Sequence, residues 1–151
     1  MNRMSTGLLH GISTVVLVCM VACAFAQETP NTLDGITVVD AARVQQMMRS
    51  GIAVFDVRVA AEYAEAHIKG AISLPYREKS AKNVKFDRTQ DNFDLDKLPP
   101  DKNATFVFYC NAGDCWKSYK ASKLAVDAGF KRVHWFRGGL PEWRSKSLPV
   151  E

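Results

Sequence analysis

At 151 residues with 47% hydrophobic content, the chain holds apolar material for one ordinary core and hardly for two. Its 20 Lys and Arg against 16 Asp and Glu leave a net charge of +4, too mild an excess to suggest a nucleic-acid binder.

The first residues stand apart from that core. Arg3 is the only charge before Glu28, and residues 11–25 are almost wholly apolar, ending in Ala24-Phe25-Ala26. This is the layout of a secretory signal peptide, too short and wrongly flanked for a stable membrane span, with cleavage expected after Ala26. Two other readings are a retained N-terminal anchor and a weak lipoprotein site at Met20-Val21-Ala22-Cys23, which would put a lipid on Cys23. The expected organisation is a signal peptide over 1–26, a short linker over 27–35 and one domain over 36–151, in a periplasmic or secreted protein. Residues 117–151 carry eight Lys or Arg against three acids, whereas residues 27–76 carry four against six. A basic C-terminal part suits small anionic substrates, although Lys120 and Lys123 are expected simply to solvate a helix face.

Strand-like and helix-like segments then alternate. The segment 35–40 predicts a short strand, and 40–51 a helix capped by Asp40, with Val44, Met47 and Met48 apolar and Gly51 as its stop. The run 52–58 reads as a strand buried on both faces. A helix over 60–70 closed by Gly70 and a strand over 71–75 follow. Residues 77–102 are polar and mixed in charge, a surface excursion with one turn of helix. The segment 104–110 is the most buried-looking strand, and 117–129 the clearest helix, stopped by Gly129. A strand over 132–136 and a short helix over 138–146 complete the chain. Such alternation predicts an α/β fold with a parallel sheet covered on both faces and ligands gathering at the carboxyl ends of its strands.

Once the leader is removed, two cysteines remain, Cys110 and Cys115. In an exported protein the default is a disulfide, yet a ring this small adds little stability, which favours chemistry over scaffolding. Cys110 ends a strand just before a helix, where loop amides and the first helical turn favour a thiolate. Its polar neighbours Asn111, Gly113 and Asp114 fit an inert buried thiol poorly. The spacing of Cys110, Cys115, His67 and His134 matches no zinc pattern, and neither metal nor cofactor is expected.

Three segments, "VFDVRVAAEYAEAHIKGAISLPY" from Val54, "FYCNAG" with the helix leading to Gly129-Phe130, and "RVHWFRGGLPEWRSKSLPV" from Arg132, resemble the rhodanese-like sulfurtransferases. The likeness covers about residues 36–150. It implies a central, mostly parallel sheet of about five strands flanked by helices on both faces, and a cysteine that carries sulfane sulfur as a persulfide to a thiophilic acceptor. By this resemblance Cys110 is the nucleophile, and Asn111, Ala112, Gly113 and Asp114 supply the amides around it. Asp56, Arg58, Glu62 and His67 match signature positions read mainly as structural. Gly138 and Gly139 permit a tight turn, and Trp143 belongs to the core. The family loop closes on an arginine followed by Ser or Thr. Here Lys117-Ser118 takes that place, with Cys115-Trp116 as an extra pair, or, at fixed loop length, Cys115 occupies the arginine position. Either way no loop arginine faces the sulfur, and lysine recognises an oxyanion less specifically than arginine does. The expected substrate and loop residues therefore run from Asn111 to Ser118, with Trp116 either walling the pocket or packing beneath the loop.

The expected function is sulfur transfer from a small anionic donor to a thiol acceptor. Two alternatives stand beside it: a thiol-disulfide or sulfide-releasing protein with Cys115 as redox partner, and a non-catalytic binding module of a periplasmic respiratory or sulfur-oxidising system. Expected partners are the donor, the acceptor and a periplasmic redox or sulfur-carrier protein, with neither nucleic acid nor membrane.

Overall fold

A computed structural model describes residues 27–151. The leader, its cleavage point and Cys19 and Cys23 lie outside the described residues. Strands Ile36–Val38 (β1), Ala53–Asp56 (β2), Ile72–Ser73 (β3), Thr105–Tyr109 (β4) and Arg132–Phe136 (β5) form one sheet in the order β1-β5-β4-β2-β3. Every pairing is parallel, as strands separated by helices require. Asp56 pairs with Tyr109, and Tyr109 with Phe136, so the three central strands end level. Cys110 leaves the sheet at that edge.

Helices Ala41–Arg49 (α1), Ala60–Glu65 (α2), Trp116–Asp127 (α3) and Gly139–Ser145 (α4) follow the strands. Asp40 caps α1 as expected, its carboxylate accepting from the Arg43 amide at 2.8 Å. The two-residue period of β4 separates two cores. Val107 and Tyr109 pack with Ala41, Val44 and Met47 of α1 and with Leu140 and Trp143 of α4. Phe106 and Phe108 pack on the other face with Phe55 and with Ala121, Leu124 and Ala125 of α3. Phe106 meets Phe55 and Phe130 edge-on at 5.9 and 5.2 Å between centroids, an arrangement aromatic pairs favour.

Two departures from the sequence expectations concern the helices. The helix expected over 60–70 stops at Glu65, and Ala66 is extended (φ −170°, ψ 141°). Ile68 is fully buried and bridges Val150, while His67 and Glu151 exchange backbone hydrogen bonds of 2.8 and 3.0 Å. Burying Ile68 and pairing this segment with the chain's end outweighs continuing a short helix. Lys120 is the second departure: it does not solvate a helix face but is fully buried. Its i,i+4 spacing puts it between Trp116 and Leu124 on the packed side of α3. The ammonium meets Glu78 at 2.8 Å, Ser80 Oγ at 2.8 Å and Asp91 at 3.6 Å, the pairing that a buried charge requires. Lys123 does lie on the exposed face, paired with Asp127 at 3.0 Å.

That cluster fastens the polar excursion 77–102, which holds two short 3-10 turns, to the body of the protein. Asp91 accepts from the amides of Lys79 and Ser80 and from the hydroxyls of Ser80 and Tyr76. Burial pushes its carboxyl up, but the hydrogen bonds from Ser80, Lys79 and Tyr76 outweigh that and hold it down to about 2. No helix among the described residues is long and apolar enough to cross a membrane.

A carboxyl depressed in the folded state contributes stability that is complete above its unfolded pKa and is lost as pH falls through the folded value. Unfolding midpoints should therefore drop between about pH 4 and about pH 2. Asp91→Asn should cost about 2 kcal/mol at neutral pH and flatten that acid limb. A variant whose acid profile matches the parent's would refute the assignment.

Candidate active site

The site begins with a buried carboxylate. Asp56, at the end of β2, is fully buried and takes Arg58 Nε and Nη2 at 3.0 and 2.6 Å, the Arg58 amide at 2.9 Å and the Tyr109 hydroxyl. Arg58 also donates to the Ala66 carbonyl at 2.8 Å, and the Tyr109 oxygen accepts from the Ile68 amide at 3.1 Å. Burial works against the Arg58 charge, but the hydrogen bond and charge of Asp56 overcome it and hold the guanidinium above its ordinary pKa. Burial, followed by the Asp56 charge, raises the Tyr109 phenol. The Asp56–Arg58 pair is thus structural, as expected, and it fixes the strand end from which Cys110 departs.

Cys110 is 1% exposed and its sulfur is bonded to that of half-buried Cys115, with 6.2 Å between alpha carbons, inside the range a bridge allows. Between them, Ala112 takes a left-handed backbone (φ 54°) and its carbonyl accepts from the Cys115 amide at 3.2 Å. The amides of Asn111, Ala112, Gly113 and Asp114 donate to no other group among the described residues, and unpartnered loop amides of this kind can bind an anion. The twelve-residue helix α3 starts directly after Cys115, with no side-chain cap, so its positive end also faces this region.

Three segments remote in sequence hold the loop. Asn111 donates through its amide side chain to the Glu62 carboxylate. The Leu140 amide donates to the Cys110 carbonyl at 3.0 Å. The Gly113 carbonyl accepts from the Thr29 amide and hydroxyl at 2.8 and 2.7 Å. Residues 27–35, read from sequence as a linker, therefore run against the loop, with Leu33 packed on Trp116, Tyr119 and Trp135. Gly139 is the glycine this arrangement requires: its φ is +56°, and a Cβ there would collide with the Cys110 carbonyl and the Ala112 amide. Gly138 has an ordinary helical backbone (φ −67°) and is limited instead by the Glu142 side chain.

The remaining expected site residues divide. Asp114 is exposed, and Lys117, half-buried in the first turn of α3, makes no ion pair among the described residues. Trp116 and Ser118 are buried, with their polar atoms turned to other parts of the chain. Trp116 is 1% exposed beneath the loop, its indole N–H bonded to the Gln27 carbonyl at 2.6 Å. The Ser118 hydroxyl is buried and accepts from the Trp135 indole at 3.0 Å. The first turn of α3 buries both because it packs against β5, which sequence spacing alone does not show. His67 bonds to the Tyr63 carbonyl at 2.9 Å and stacks on that ring, and His134 sits within β5; neither joins the cysteines. Thr29 and Arg137 are the site residues that sequence reasoning passed over, and Glu62, matched there as a signature position, was not placed against the loop. Arg137 carried a signal, since it follows a strand directly at the carboxyl edge of the sheet. Beside the loop, Arg58, Glu62, Glu65, Asn111, Leu140 and Arg144 border a cleft of about 370 Å3. A broader hollow of about 720 Å3 lies between the starts of α1 and α4, lined by Arg137 and Gly138 but by no residue of the loop; the smaller cleft, which Asn111 lines, is the one beside the cysteine loop.

A model of the rhodanese-like domain matches residues 40–146. The chain belongs to the rhodanese-like family. This rhodanese-like chain is 32% identical over 87 residues to the thiosulfate sulfurtransferase PspE of Escherichia coli, covering 58% of itself and 69% of that protein. It is 31% identical over 139 residues to a tRNA uridine(34) hydroxylase of Hamiltonella defensa, spanning 87% of itself but 36% of that protein. Among solved structures, the BH2092 protein of Bacillus halodurans matches at 30% identity and a TM-score of 0.57, over 76% of each chain. The human single-domain sulfurtransferase TSTD1 shares the fold at 23% identity and a TM-score of 0.53, over 72% of this chain and 96% of that one.

Gly139→Ala should force the Cys110 carbonyl and Ala112 amide apart. Expected are a loss of about 1–3 kcal/mol in stability and a larger relative loss of Cys110 reactivity. Unaltered thiol reactivity in the variant would show that the close approach of α4 does not shape the loop.

Proposed function

We propose that the chain is an exported sulfurtransferase that carries sulfane sulfur on Cys110. Membership of the rhodanese-like family and relatives named as sulfurtransferases support sulfurtransferase-type chemistry. The observation that carries the finer reading is Cys110 at a parallel-sheet edge, inside a loop whose four amides have no other partner among the described residues. In the proposed cycle the Cys110 thiolate attacks the outer sulfur of a thiosulfate-like donor. The donor's sulfur–sulfur bond breaks, the oxyanion leaves with the electron pair, and a persulfide remains in the ring of amides. An acceptor thiolate then attacks the outer sulfur and the Cys110 thiolate departs. Lys117 counters the donor's charge as a flexible point charge rather than a fork. The leader read over residues 1–26 supports export, and donor and acceptor are assigned by chemical class alone.

The bonded Cys110–Cys115 pair favours one further step. The Cys115 thiolate attacks the inner sulfur of the persulfide, hydrosulfide leaves, and the disulfide closes. A dithiol acceptor or small thiol then reopens it, becoming oxidised in turn. Because Cys115 is the more exposed partner, an incoming thiol meets it first and expels Cys110 as thiolate.

Intact mass tests both steps. Reduced protein mixed with thiosulfate should gain the mass of one sulfur atom, and Cys110→Ser should not. Cys115→Ser should hold the added sulfur for longer, because the closing thiol is gone. Absence of sulfur uptake by the reduced parent would defeat the sulfurtransfer reading and leave the cysteine pair as a redox or structural disulfide. Lys117→Ala should raise KM for an anionic donor severalfold with little change in kcat; an unchanged KM would reject its role.

A further inference from the structure

We infer that Thr29 and Arg137 are positioning residues of the Cys110 loop: residues 27–30 form a strap that, with Arg137, fixes the Gly113–Asp114 peptide and thereby aims the loop amides. The inference deepens the sulfurtransfer reading and rests on it for its purpose, though not for its geometry.

Thr29 is 3% exposed, and both its amide and its hydroxyl donate to the Gly113 carbonyl, at 2.8 and 2.7 Å. Two donors saturate that oxygen. The peptide is planar and trans, so anchoring the carbonyl of Gly113 toward the strap points the Asp114 amide the opposite way, away from the strap. The Thr29 hydroxyl also accepts from Arg137 Nε at 3.2 Å, which makes a relay from guanidinium to hydroxyl to Gly113 carbonyl and lets each bond polarise the next.

Arg137 holds the strap from its other side. Its Nη2 donates to the Thr29 carbonyl at 2.8 Å and meets the Glu28 carboxylate at 3.1 Å, and its Nε reaches the Pro30 carbonyl at 3.2 Å. The same guanidinium lies against the loop. A Cβ on Gly113 would stand 2.7 Å from Cζ, Nη1 and Nη2, which explains a glycine at a position whose φ is not in the left-handed region. The Trp116 indole closes the strap's far end on the Gln27 carbonyl. With no arginine inside the loop, Arg137 is the arginine packed against it, and it acts by holding peptides rather than by touching the sulfur.

A strap that merely sealed the core would affect stability and leave Cys110 chemistry alone, so the test reads the thiol. In the full-length chain carrying Cys115→Ser, the pH dependence of Cys110 alkylation by iodoacetamide, followed by peptide mass, gives the thiol midpoint without any sulfur donor. Thr29→Val removes the relay without changing charge. It should raise the midpoint by about half a unit, slowing alkylation at pH 7 about threefold while rates converge at high pH. Thr29→Ser should keep the parent profile, Arg137→Ala should shift it further, and Arg137→Lys should recover part of the shift. A Thr29→Val profile that superimposes on the parent's overturns the proposal, even if Arg137→Ala moves, since charge alone would then suffice. Melting curves identify any unfolded variant, and Thr29→Ser against Thr29→Val still decides if Arg137→Ala fails to fold. A parent that takes up no sulfur while Thr29→Val shifts the midpoint would refute the sulfurtransfer reading and leave the positioning role standing.

Discussion

The arrangement at the carboxyl edge of the sheet depends on one buried carboxylate. Asp56 ends β2 opposite Tyr109, the last residue of β4, and has no solvent contact. An unpaired charge in that position would be prohibitive, so Arg58 and the Tyr109 hydroxyl must both reach it. In doing so they set the course of two chain segments, because Arg58 also grips Ala66 and Tyr109 also receives Ile68. The network contributes orientation more than stability, since an apolar replacement of equal volume avoids the desolvation penalty altogether. The residue after Tyr109 is Cys110, so the sulfur's starting point is determined by a charge pair at the end of the adjacent strand.

A second tier follows from the parallel topology. All strands run the same way, so the carboxyl ends of β2, β4 and β5 and the starts of α3 and α4 converge on one region. Parallel sheets covered on both faces offer binding space chiefly there. The loop is closed by contacts from Thr29, Glu62 and Leu140, which lie before β1, in α2 and in α4. Its own local ties are the Ala112–Cys115 turn and the bond between the two cysteines.

Much of this was legible in the sequence because it is local. The capped helix after Asp40, the apolar run into Cys110 and the helix stopped by Gly129 each rest on spacing, propensity or a single special residue, and the structure has all of them. What was not legible is pairing at a distance. Lys120 reads as a surface lysine because Glu78 and Asp91, which make its burial tolerable, lie 42 and 29 residues upstream; only its spacing from Trp116 and Leu124 hinted otherwise. Glu62 matched a signature position, yet its hold on Asn111 needs α2 and the cysteine loop to face each other. Trp116 was ambiguous between pocket wall and core until β5 was placed beneath it.

The hold of Leu140 on the Cys110 carbonyl has a consequence for the order of folding. A chain made from its N-terminus presents Cys110 well before residues 139 and 140 exist, and contacts of such long sequence separation form late. Until α4 docks, the loop lacks the neighbour that shapes its first turn. The surroundings of Cys110 are thus completed only by the last helix, so a chain cut short before residue 139 would keep the cysteine and lose the contact that shapes its loop.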